Sequence, residues 1–285
     1  MEYFTIKSDT LDLKIAIIDI KSIHMHEETI PEAVQELVAE LLRDGVLRHP
    51  VIVDEKTKVV LDGMHRAAAL KLIECIMIPI CSVDYENPSV RVDTWYRVFS
   101  KENTQDLIDG LKRWNIRTTE SSIQEAKKNL EAGTAAAFIA TKEKCLIIEN
   151  GDGDVKQNFQ LVASIERMAK SLGYGVKYET RSDALKKLEE GTAQLILGPP
   201  PVTKQDVRRS GLRDDPFPHK ATRHVMPARP LGINVPIEIL RNRAIGLPEA
   251  NKKLIEMLKK RPLERLAPGS MVENRRYEEQ VFLFR

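Results

Sequence analysis

Cysteine is scarce in this sequence. Only three cysteines occur among the 285 residues, Cys75, Cys81 and Cys145. Their number is odd and no two of them form a CxxC pair, which argues against a disulfide framework and against a zinc site built from thiolates. This cysteine usage is typical of proteins of the cytoplasm.

Long apolar runs and an excess of one charge are also absent. The longest apolar stretch, around Ile73–Val83, contains Glu74 and Pro79 and is too short to span a bilayer. The N-terminus lacks the basic-then-apolar order of a signal peptide, so we expect a cytoplasmic protein with no membrane partner. Lysine and arginine (44) nearly balance aspartate and glutamate (42), and the net charge of +2 argues against a nucleic-acid partner held by bulk electrostatics.

Helix and strand patterns alternate along the chain, which predicts the α/β (α+β) class. The clearest pattern is an apolar stripe at positions 34, 37, 38, 41 and 42, which predicts an amphipathic helix between Pro31 and Gly45. In the first half we predict strands at Lys14–Ile20, Met77–Val83 and Val90–Phe99, a hairpin over residues 50–61, and helices at Pro31–Asp44, Met64–Ile73 and Thr104–Trp114.

The second half contains an internal echo with an offset of 58 residues (187 − 129). Asn129–Ile139 reads NLEAGTAAAFI and Lys187–Leu197 reads KLEEGTAQLIL, each a helix end, a glycine and a strand. The echo indicates two α–β units of one design, although such a junction is common enough to recur by chance. The other predictions are helices at Gln157–Leu172 and Leu247–Lys260, a strand at Val176–Thr180, a long loop over Gly198–His224 and a closing edge strand at Glu278–Phe284.

The character of the sequence changes near Thr118, where the alternation of helix and strand becomes regular. We therefore predict a first domain over residues 1–116 and a second α/β domain over residues 117–285, with the boundary at Asn115–Glu120.

The strongest local feature is VVLDGMHRAAAL at residues 59–70, where a strand ends at Asp62-Gly63 and a helix begins at once. Gly63 lets the backbone approach a ligand closely. The free N–H groups of the helix N-terminus, together with His65 and Arg66, suit a phosphate or another anion. The alternative is an ordinary strand–helix junction with a turn glycine and surface side chains.

A second feature, His26-Glu27-Glu28, lies between the first predicted strand and the first predicted helix. The two carboxylates point in different directions in an extended loop, so only one of them is a candidate general base near the anion site. The alternative is that both simply favour the N-terminal dipole of the helix.

A third feature is the basic segment FPHKATRHVMP at residues 217–227. It gathers Lys220, Arg223 and His224 between prolines, and Thr222 adds a hydroxyl group. Contact with phosphates or with a substrate carboxylate is one interpretation. A solvated basic loop is the other.

An aromatic pair, Trp95 and Tyr96, lies on the predicted strand Val90–Phe99. Trp95 is either a core residue or an aromatic wall beside a ligand. The histidines outside these features have no recognisable metal-ligand spacing. The sequence also lacks a GxxxxGK[ST] loop, an HExxH pair and a nucleophile elbow.

Together these segments resemble the free L-serine kinases of the ParB/sulfiredoxin-like superfamily. The resemblance rests on four segments that occur in the family's order: His26-Glu27, Asp62–Arg66, Thr94–Tyr96 and Lys220–Val225. They span most of residues 14–240, and the combination is more specific than any one segment. The resemblance implies a ParB/sulfiredoxin-like N-terminal domain, which binds nucleotide, and a second α/β domain that completes the active-site cleft.

The resemblance also implies an activity. The enzyme would transfer a phosphoryl group from ADP or ATP, with Mg²⁺, to the hydroxyl group of free L-serine, giving O-phospho-L-serine for serine and cysteine biosynthesis. Glu27 would be the catalytic base, and Asp62 would bind nucleotide, orient the turn or bind the metal ion. The other implied site residues are Gly63, Met64, His65, Arg66, Lys220 and Arg223 for the nucleotide, and Trp95, Thr222 and His224 for the substrate.

Two departures from the family pattern matter. Met64 stands where the family has the first histidine of the turn, and the chain continues beyond Asn242 with a helix and a strand of unassigned role. Met64 also argues against sulfiredoxin chemistry, because a thioether cannot act as the thiolate nucleophile. The alternatives are a kinase for threonine or homoserine, and a ParB-like nucleotide-binding protein that binds DNA or regulates, although no clear helix-turn-helix is visible. The sequence distinguishes neither ADP from ATP nor one oligomeric state from another.

Overall fold

A computed structural model describes residues 2–101, 104–149 and 153–285, and its mixture of helices and strands confirms the predicted class. The helices are α1 (Pro31–Asp44), α2 (Met64–Leu72), α3 (Gln105–Arg113), α4 (Ile123–Glu131), α5 (Val155–Ser171), α6 (Arg181–Glu189), α7 (Lys204–Leu212), α8 (Ile237–Arg241) and α9 (Leu247–Lys259). None of the helices within these ranges is long and apolar enough to cross a membrane.

The strands that precede residue 150 are β1 (Phe4–Ile6), β2 (Leu13–Asp19), β3 (Val46–Leu47), β4 (Val51–Asp54), β5 (Val60–Asp62), β6 (Met77–Val83), β7 (Arg91–Thr94), β8 (Tyr96–Ser100), β9 (Thr118–Ser121), β10 (Ala135–Ala140) and β11 (Cys145–Glu149). The later strands are β12 (Gly175–Glu179), β13 (Leu195–Gly198), β14 (Thr222–Val225), β15 (Ala228–Leu231), β16 (Val235–Pro236), β17 (Leu263–Leu266), β18 (Met271–Val272), β19 (Arg275–Arg276) and β20 (Gln280–Phe284).

The chain forms two compact units. The first consists of Met1–Arg91, Val207–Pro216 and His224–Arg285, and the second of Val92–Asp206 and Phe217–Arg223. The chain therefore passes from one unit to the other more than once, and its C-terminal part returns to the first unit. Sequence reasoning gave no sign of this return.

The main sheet of the first unit has the strand order β1-β2-β6-β4-β5. Helix α1 has the predicted limits, and Gly45 ends it with a φ of +69°, a left-handed conformation that glycine adopts without strain. The predicted hairpin is present as β4 and β5, which pair in the antiparallel direction. Helix α9 contacts this sheet through Asn251, whose side chain accepts a hydrogen bond from the N–H of Ile17 and donates one to its carbonyl. Ile17 lies on β2 beyond the last residue that pairs with the short strand β1.

The predicted strand Val90–Phe99 is two strands, β7 and β8, with Trp95 at the break. Strand β8 lies inside the sheet of the second unit, between β12 and β13, and pairs with both. The second unit accordingly begins near residue 92, before the predicted boundary at Asn115–Glu120, because β8 finds its partners far along the chain. That residues 1–116 and 117–285 fold as separate domains stays a prediction.

The sheet of the second unit has the strand order β12-β8-β13-β10-β11-β9, with every neighbouring pair antiparallel. The elements β8-α3-β9-α4-β10 are followed by the same series, β11-α5-β12-α6-β13. The first strand of each series pairs with the last two strands of the other, so the strand order reads alike from both ends. The unit is thus a tandem repeat.

The internal echo is confirmed as part of this repeat. Ser122 and Thr180, 58 residues apart, cap α4 and α6 by accepting hydrogen bonds from the backbone N–H three residues on, and Gly133 and Gly191 follow those helices with φ near +75° (+73° and +75°). Buried positions recur at the same offset: Ala126 and Ala184, Leu130 and Leu188, Ala135 and Ala193, and Phe138 and Ile196.

Two predictions for the last third of the chain were wrong. The segment Gly198–His224 is not one long loop, because α7 lies within it. Helix α7 has no apolar stripe to reveal it, but the hydroxyl of Thr203 accepts a hydrogen bond from the N–H of Asp206 at its start. The strand predicted at Glu278–Phe284 is present as β20, but it is not an edge strand: it lies between β15 and β17. Its continuous buried run is typical of a central strand.

Candidate active site

The turn between β5 and α2 has the predicted geometry. Strand β5 ends at Asp62, Gly63 has a φ of +97°, and α2 begins at Met64. A Cβ atom at position 63 would lie 2.7 Å from Nη2 of Arg66, so the glycine makes room for the Arg66 guanidinium as well as for the turn. The N-terminus of α2 therefore carries a positive side chain folded back over Gly63, the residue before the helix.

Asp62 is the anionic partner within this turn. Its Oδ2 accepts hydrogen bonds from Nη2 of Arg66 at 2.7 Å and from Nη1 of Arg229 at 3.2 Å. Burial alone would raise the pKa of Asp62, but the charges of Arg66 and Arg229 outweigh it and hold the pKa well below the usual range. Nη1 of Arg66 also donates to the carbonyl of Pro50 at 2.5 Å, so both terminal nitrogens of the guanidinium are fixed.

His65 is oriented towards the start of α1. Its Nε2 accepts a hydrogen bond from the N–H of Ile30, the residue before that helix, at 3.1 Å. Because this ring nitrogen accepts the bond, the backbone just before α1 fixes the orientation of the His65 ring. His65 thus links the turn to the first helix of the unit.

The His26-Glu27-Glu28 loop separates its two carboxylates as predicted. Glu27 is buried, with 6% of its surface exposed, whereas Glu28 is exposed. His26 is fully buried, its Nδ1 lies 2.6 Å from the carbonyl of Val60 in β5, and burial lowers its pKa to about 4. Ser210 of α7 donates to the His26 carbonyl at 2.9 Å, so the backbone next to Glu27 is held from two sides.

The structure places His224 beside this loop. The rings of His26 and His224 meet edge to face at 5.2 Å, and the Tyr85 hydroxyl lies 2.7 Å from Nε2 of His224. Tyr85 is buried, and burial raises its pKa, so it stays a neutral phenol. Arg208 covers the Tyr85 ring at 5.2 Å. Sequence reasoning missed Tyr85 and Ser210, since nothing in the surrounding sequence marks either residue.

In the second unit the structure brings Trp95 together with the basic segment. Nζ of Lys220 lies 5.2 Å and Cζ of Arg223 lies 5.4 Å from the centre of the Trp95 indole, distances at which a cation is attracted to the ring face. Lys220 has a φ of +60°, which is uncommon for a residue other than glycine and often found at functional sites. Thr222, which lies between Lys220 and Arg223 in the sequence, is buried.

The candidate residues therefore form one group in each unit. The first unit contains Glu27, Asp62–Arg66 and His224, and the second contains Trp95 and Lys220–Arg223. Across the described ranges, no three or more His, Cys, Asp and Glu side chains are grouped so that they could hold a metal ion. The thiols take no part in either group, and all three are buried.

Comparison with known proteins agrees with the sequence motifs. No family model matches the chain. It is 28% identical over 232 residues to the ATP-dependent L-serine kinase of Staphylothermus marinus, covering 79% of this chain and 90% of the relative. It is 26% identical over 237 residues to the ADP-dependent L-serine kinase of Thermococcus kodakarensis, covering 81% and 95%. A more distant relative, from Sulfolobus acidocaldarius, is a ParB-like protein, at 24% identity over 208 residues, covering 72% and 87%.

A solved structure shares the fold. It is a glutamate-to-alanine variant of a free serine kinase in complex with ADP, 22% identical, with a TM-score of 0.70 over 84% of this chain and 97% of that chain. The resemblance to free L-serine kinases is thus confirmed over most of the chain. About a fifth of this chain lies outside the aligned part of the two kinases.

Proposed function

We propose that this protein is a nucleotide-dependent kinase that phosphorylates the hydroxyl group of free L-serine. The observation that carries the proposal is the arrangement of the first unit, in which the loop with the buried Glu27 is tied through His26 and Val60 to β5, the strand that leads directly into the turn at Asp62. A candidate base and a candidate phosphate site therefore belong to one local framework. The similarity to ATP- and ADP-dependent L-serine kinases supports the same reaction.

The turn is the proposed phosphate site. Backbone N–H groups at the start of α2 have no partner within the helix, and the helix dipole adds positive potential there. Arg66 supplies a guanidinium held in place by Asp62 and Pro50. Phosphoryl transfer depends mainly on positioning and on neutralising charge, and these groups provide both. Met64 contributes its backbone N–H, since its thioether cannot replace a histidine donor.

Glu27 is the proposed general base. The serine hydroxyl attacks the terminal phosphorus of the nucleotide as Glu27 accepts the hydroxyl proton. The new O–P bond forms while the bond to the leaving phosphate oxygen breaks, which gives O-phospho-L-serine and AMP from ADP, or ADP from ATP. In the second unit we assign Trp95 and Thr222 to binding the serine substrate. We assign Lys220 and Arg223 to binding the nucleotide. His224 of the first unit is assigned to the substrate.

Mg²⁺ belongs to the proposal as a companion of the nucleotide. In kinase sites Mg²⁺ keeps several waters and is bound through one or two carboxylates and the substrate phosphates, so a preformed cluster of ligands is not needed. Asp62 is the carboxylate within the turn itself, and we assign it to the metal or to orienting the turn. When bound, the ion neutralises charge on the phosphates.

Because free serine and nucleotides are cytoplasmic metabolites, the proposal includes a cytoplasmic location and a role in amino-acid biosynthesis.

A ParB-like regulatory role is the second candidate, favoured by the similarity to the Sulfolobus ParB-like protein. It is the weaker one, because the kinases match this chain at higher identity and over more of its length. A protein that binds DNA through phosphate contacts loses affinity steeply as salt increases. Titration of duplex DNA at several salt concentrations separates the two candidates, since the kinase proposal predicts no specific binding at any of them.

The experiment that tests the proposal is a product assay. Purified protein is incubated with Mg²⁺ and L-serine, with ADP and ATP in parallel, and phosphoserine is detected by mass spectrometry. Threonine and homoserine serve as alternative acceptors in matched reactions. Phosphoserine with either donor supports the proposal and identifies the donor. Absence of phosphoserine with both donors, from folded protein, contradicts it.

A further inference from the structure

Arg97 is a fully buried arginine in the second unit that sequence reasoning did not single out. Its Nη1 donates to the backbone carbonyl of Trp95 at 2.7 Å, and its Nη2 donates to the backbone carbonyl of His219 at 3.5 Å. Its Nε donates to Glu166 at 3.0 Å. One guanidinium thus contacts the backbone at Trp95 and the backbone directly before Lys220, the two segments that we assign to ligand binding.

Glu166 of α5 extends the same contact. Its Oε1 accepts hydrogen bonds from Lys170 at 2.7 Å and from the Tyr178 hydroxyl at 2.6 Å. Burial raises the pKa of Glu166, but the bonds from Lys170 and Tyr178 and the charge of Arg97 outweigh it, so the pKa lies below its usual value. The Tyr178 ring lies 5.9 Å from Nζ of Lys220. The Arg97–Glu166 pair therefore contacts the basic segment directly, at the carbonyl of His219, and indirectly through Tyr178, whose ring lies beside Lys220.

The tandem repeat shows what this position requires for folding. In β8, Arg97 pairs with Leu197 of β13; in β11, Leu146 pairs with Ile139 of β10. Ile139 and Leu197 are 58 residues apart, the offset of the repeat, so Leu146 is the structural equivalent of Arg97. The same position thus accepts leucine in the other half of the sheet. Because replacing a buried ion pair with apolar residues is often neutral or stabilising, the fold alone does not account for Arg97.

We propose that Arg97, held by Glu166, is a positioning residue that fixes Trp95 and the segment Phe217–Arg223 in the conformation in which Trp95 and Thr222 bind the amino-acid substrate. The inference rests on the proposed function for the identity of that substrate. Without Arg97, two backbone carbonyls lose their donor, and the Trp95 indole and the cations above it lose their common support. The result is weaker substrate binding, with little direct effect on the chemical step.

The test compares a single variant with a charge-free double variant. Arg97→Met leaves the Glu166 carboxylate without its guanidinium and lowers the melting temperature. In Arg97→Met/Glu166→Gln both charges are gone, while the amide still accepts a bond from Tyr178, so much of the stability returns. Substrate positioning does not return with it. We expect KM for serine to rise roughly ten- to a hundredfold in both variants, with a much smaller change in kcat. Arg97→Lys, which restores a charge but not the fork of donors, falls between them and the wild type.

A second readout does not depend on turnover. The chain has two tryptophans, and Trp114→Phe leaves Trp95 as the only one, whose emission is excited selectively over that of the six tyrosines. In that background we expect Arg97→Met/Glu166→Gln to increase acrylamide quenching of Trp95 and to weaken the serine-induced fluorescence change. The matched control is Lys101→Met/Asp106→Asn, which removes an ion pair at the other end of β8 and changes stability without changing Trp95 quenching or KM.

The outcomes separate this inference from the proposed function. A wild-type protein that makes no phosphoserine contradicts the proposed function, and the quenching measurement still decides whether Arg97 positions Trp95. A double variant with wild-type stability, wild-type quenching and wild-type KM overturns the inference while the kinase activity stands. A KM that recovers in step with the melting temperature also overturns it, because the role of Arg97 is then purely structural.

Discussion

Asp62 and Arg66 form an ion pair across the first turn of α2, with Oδ2 and Nη2 2.7 Å apart. The guanidinium is therefore held over Gly63 before any ligand arrives, and it does not have to be ordered when a phosphate binds. Since ordering a long side chain costs free energy, the pair preorganises the proposed phosphate site. The same carboxylate also binds Arg229, which in turn pairs with Glu279 near the C-terminus. The C-terminal part of the chain thus supports the turn.

The first prediction concerns Arg66. Arg66→Ala removes a charge-assisted contact with the phosphates, and such a contact contributes about 1.5–3 kcal/mol. We expect calorimetry to show weaker nucleotide binding by that amount, or turnover to fall correspondingly. Arg43→Ala, which removes an exposed arginine on α1, is the control and leaves affinity unchanged. Wild-type affinity together with wild-type turnover in Arg66→Ala would show that the turn does not bind the nucleotide.

The second prediction compares two glycines with similar left-handed backbones. Gly63→Ala and Gly45→Ala both place a Cβ on a residue with positive φ, which destabilises each variant by about 1 kcal/mol or more. Only at position 63 does the added carbon collide with Arg66, whereas nothing lies within 4 Å of it at position 45. Nucleotide affinity should therefore fall in Gly63→Ala alone. Equal affinities in the two variants, measured by titration, would argue against the role of the folded-back guanidinium.

The third prediction concerns pH and the stability of the first unit. Burial lowers the pKa of His26 from 6.5 to about 4, so below pH 6.5 the unfolded chain binds a proton that the folded chain excludes. The free energy of unfolding should fall as pH decreases from about 6.5 to about 4, and His26 alone accounts for about 3 kcal/mol of that fall. Urea unfolding across this window should show a flatter dependence in His26→Gln. The same slope in both proteins would contradict the assignment.

The fourth prediction concerns the thiols. Burial raises the pKa of Cys75 and Cys145 to about 11 and that of Cys81 to about 12, so none is a thiolate at neutral pH. We expect the native protein to resist thiol reagents, and we expect a triple Cys→Ala variant to keep its activity while it loses stability. If the folded triple variant is inactive, the mechanism without a thiol is wrong.

Local features were predictable because adjacent residues determine them. The apolar stripe and Gly45 fix the limits of α1, and Asp62-Gly63 fixes the turn before α2, which lies as predicted. The echo between the two α–β units was visible because the helix ends, the glycines and the apolar strand residues recur at one offset. The four motifs that indicated serine kinases are likewise short segments, each recognisable from adjacent residues alone.

The parts of the fold and of the candidate site that were not predicted depend on contacts between residues distant in sequence. Strand β8 looks like part of a strand that began in the first unit, yet its partners β12 and β13 begin at Gly175 and Leu195, far along the chain. Tyr85 and Ser210 support the His26 loop and His224, but each is an ordinary residue in its own sequence context. Arg97 resembles any strand residue until the repeat shows that leucine occupies the equivalent position. Chain order does not reveal such pairings.

The central claim is tested most directly by comparing two adjacent glutamates. Glu27 is buried in the loop tied to β5, and Glu28 is exposed. Glu27→Gln keeps the size and polarity of the side chain but cannot accept the serine proton. In steady-state assays of phosphoserine formation, kcat of Glu27→Gln should fall by about 10²–10⁴, the usual contribution of a positioned general base, with nucleotide affinity little changed. Glu28→Gln should keep nearly full turnover. Wild-type turnover by Glu27→Gln, or loss of activity confined to Glu28→Gln, would contradict the account.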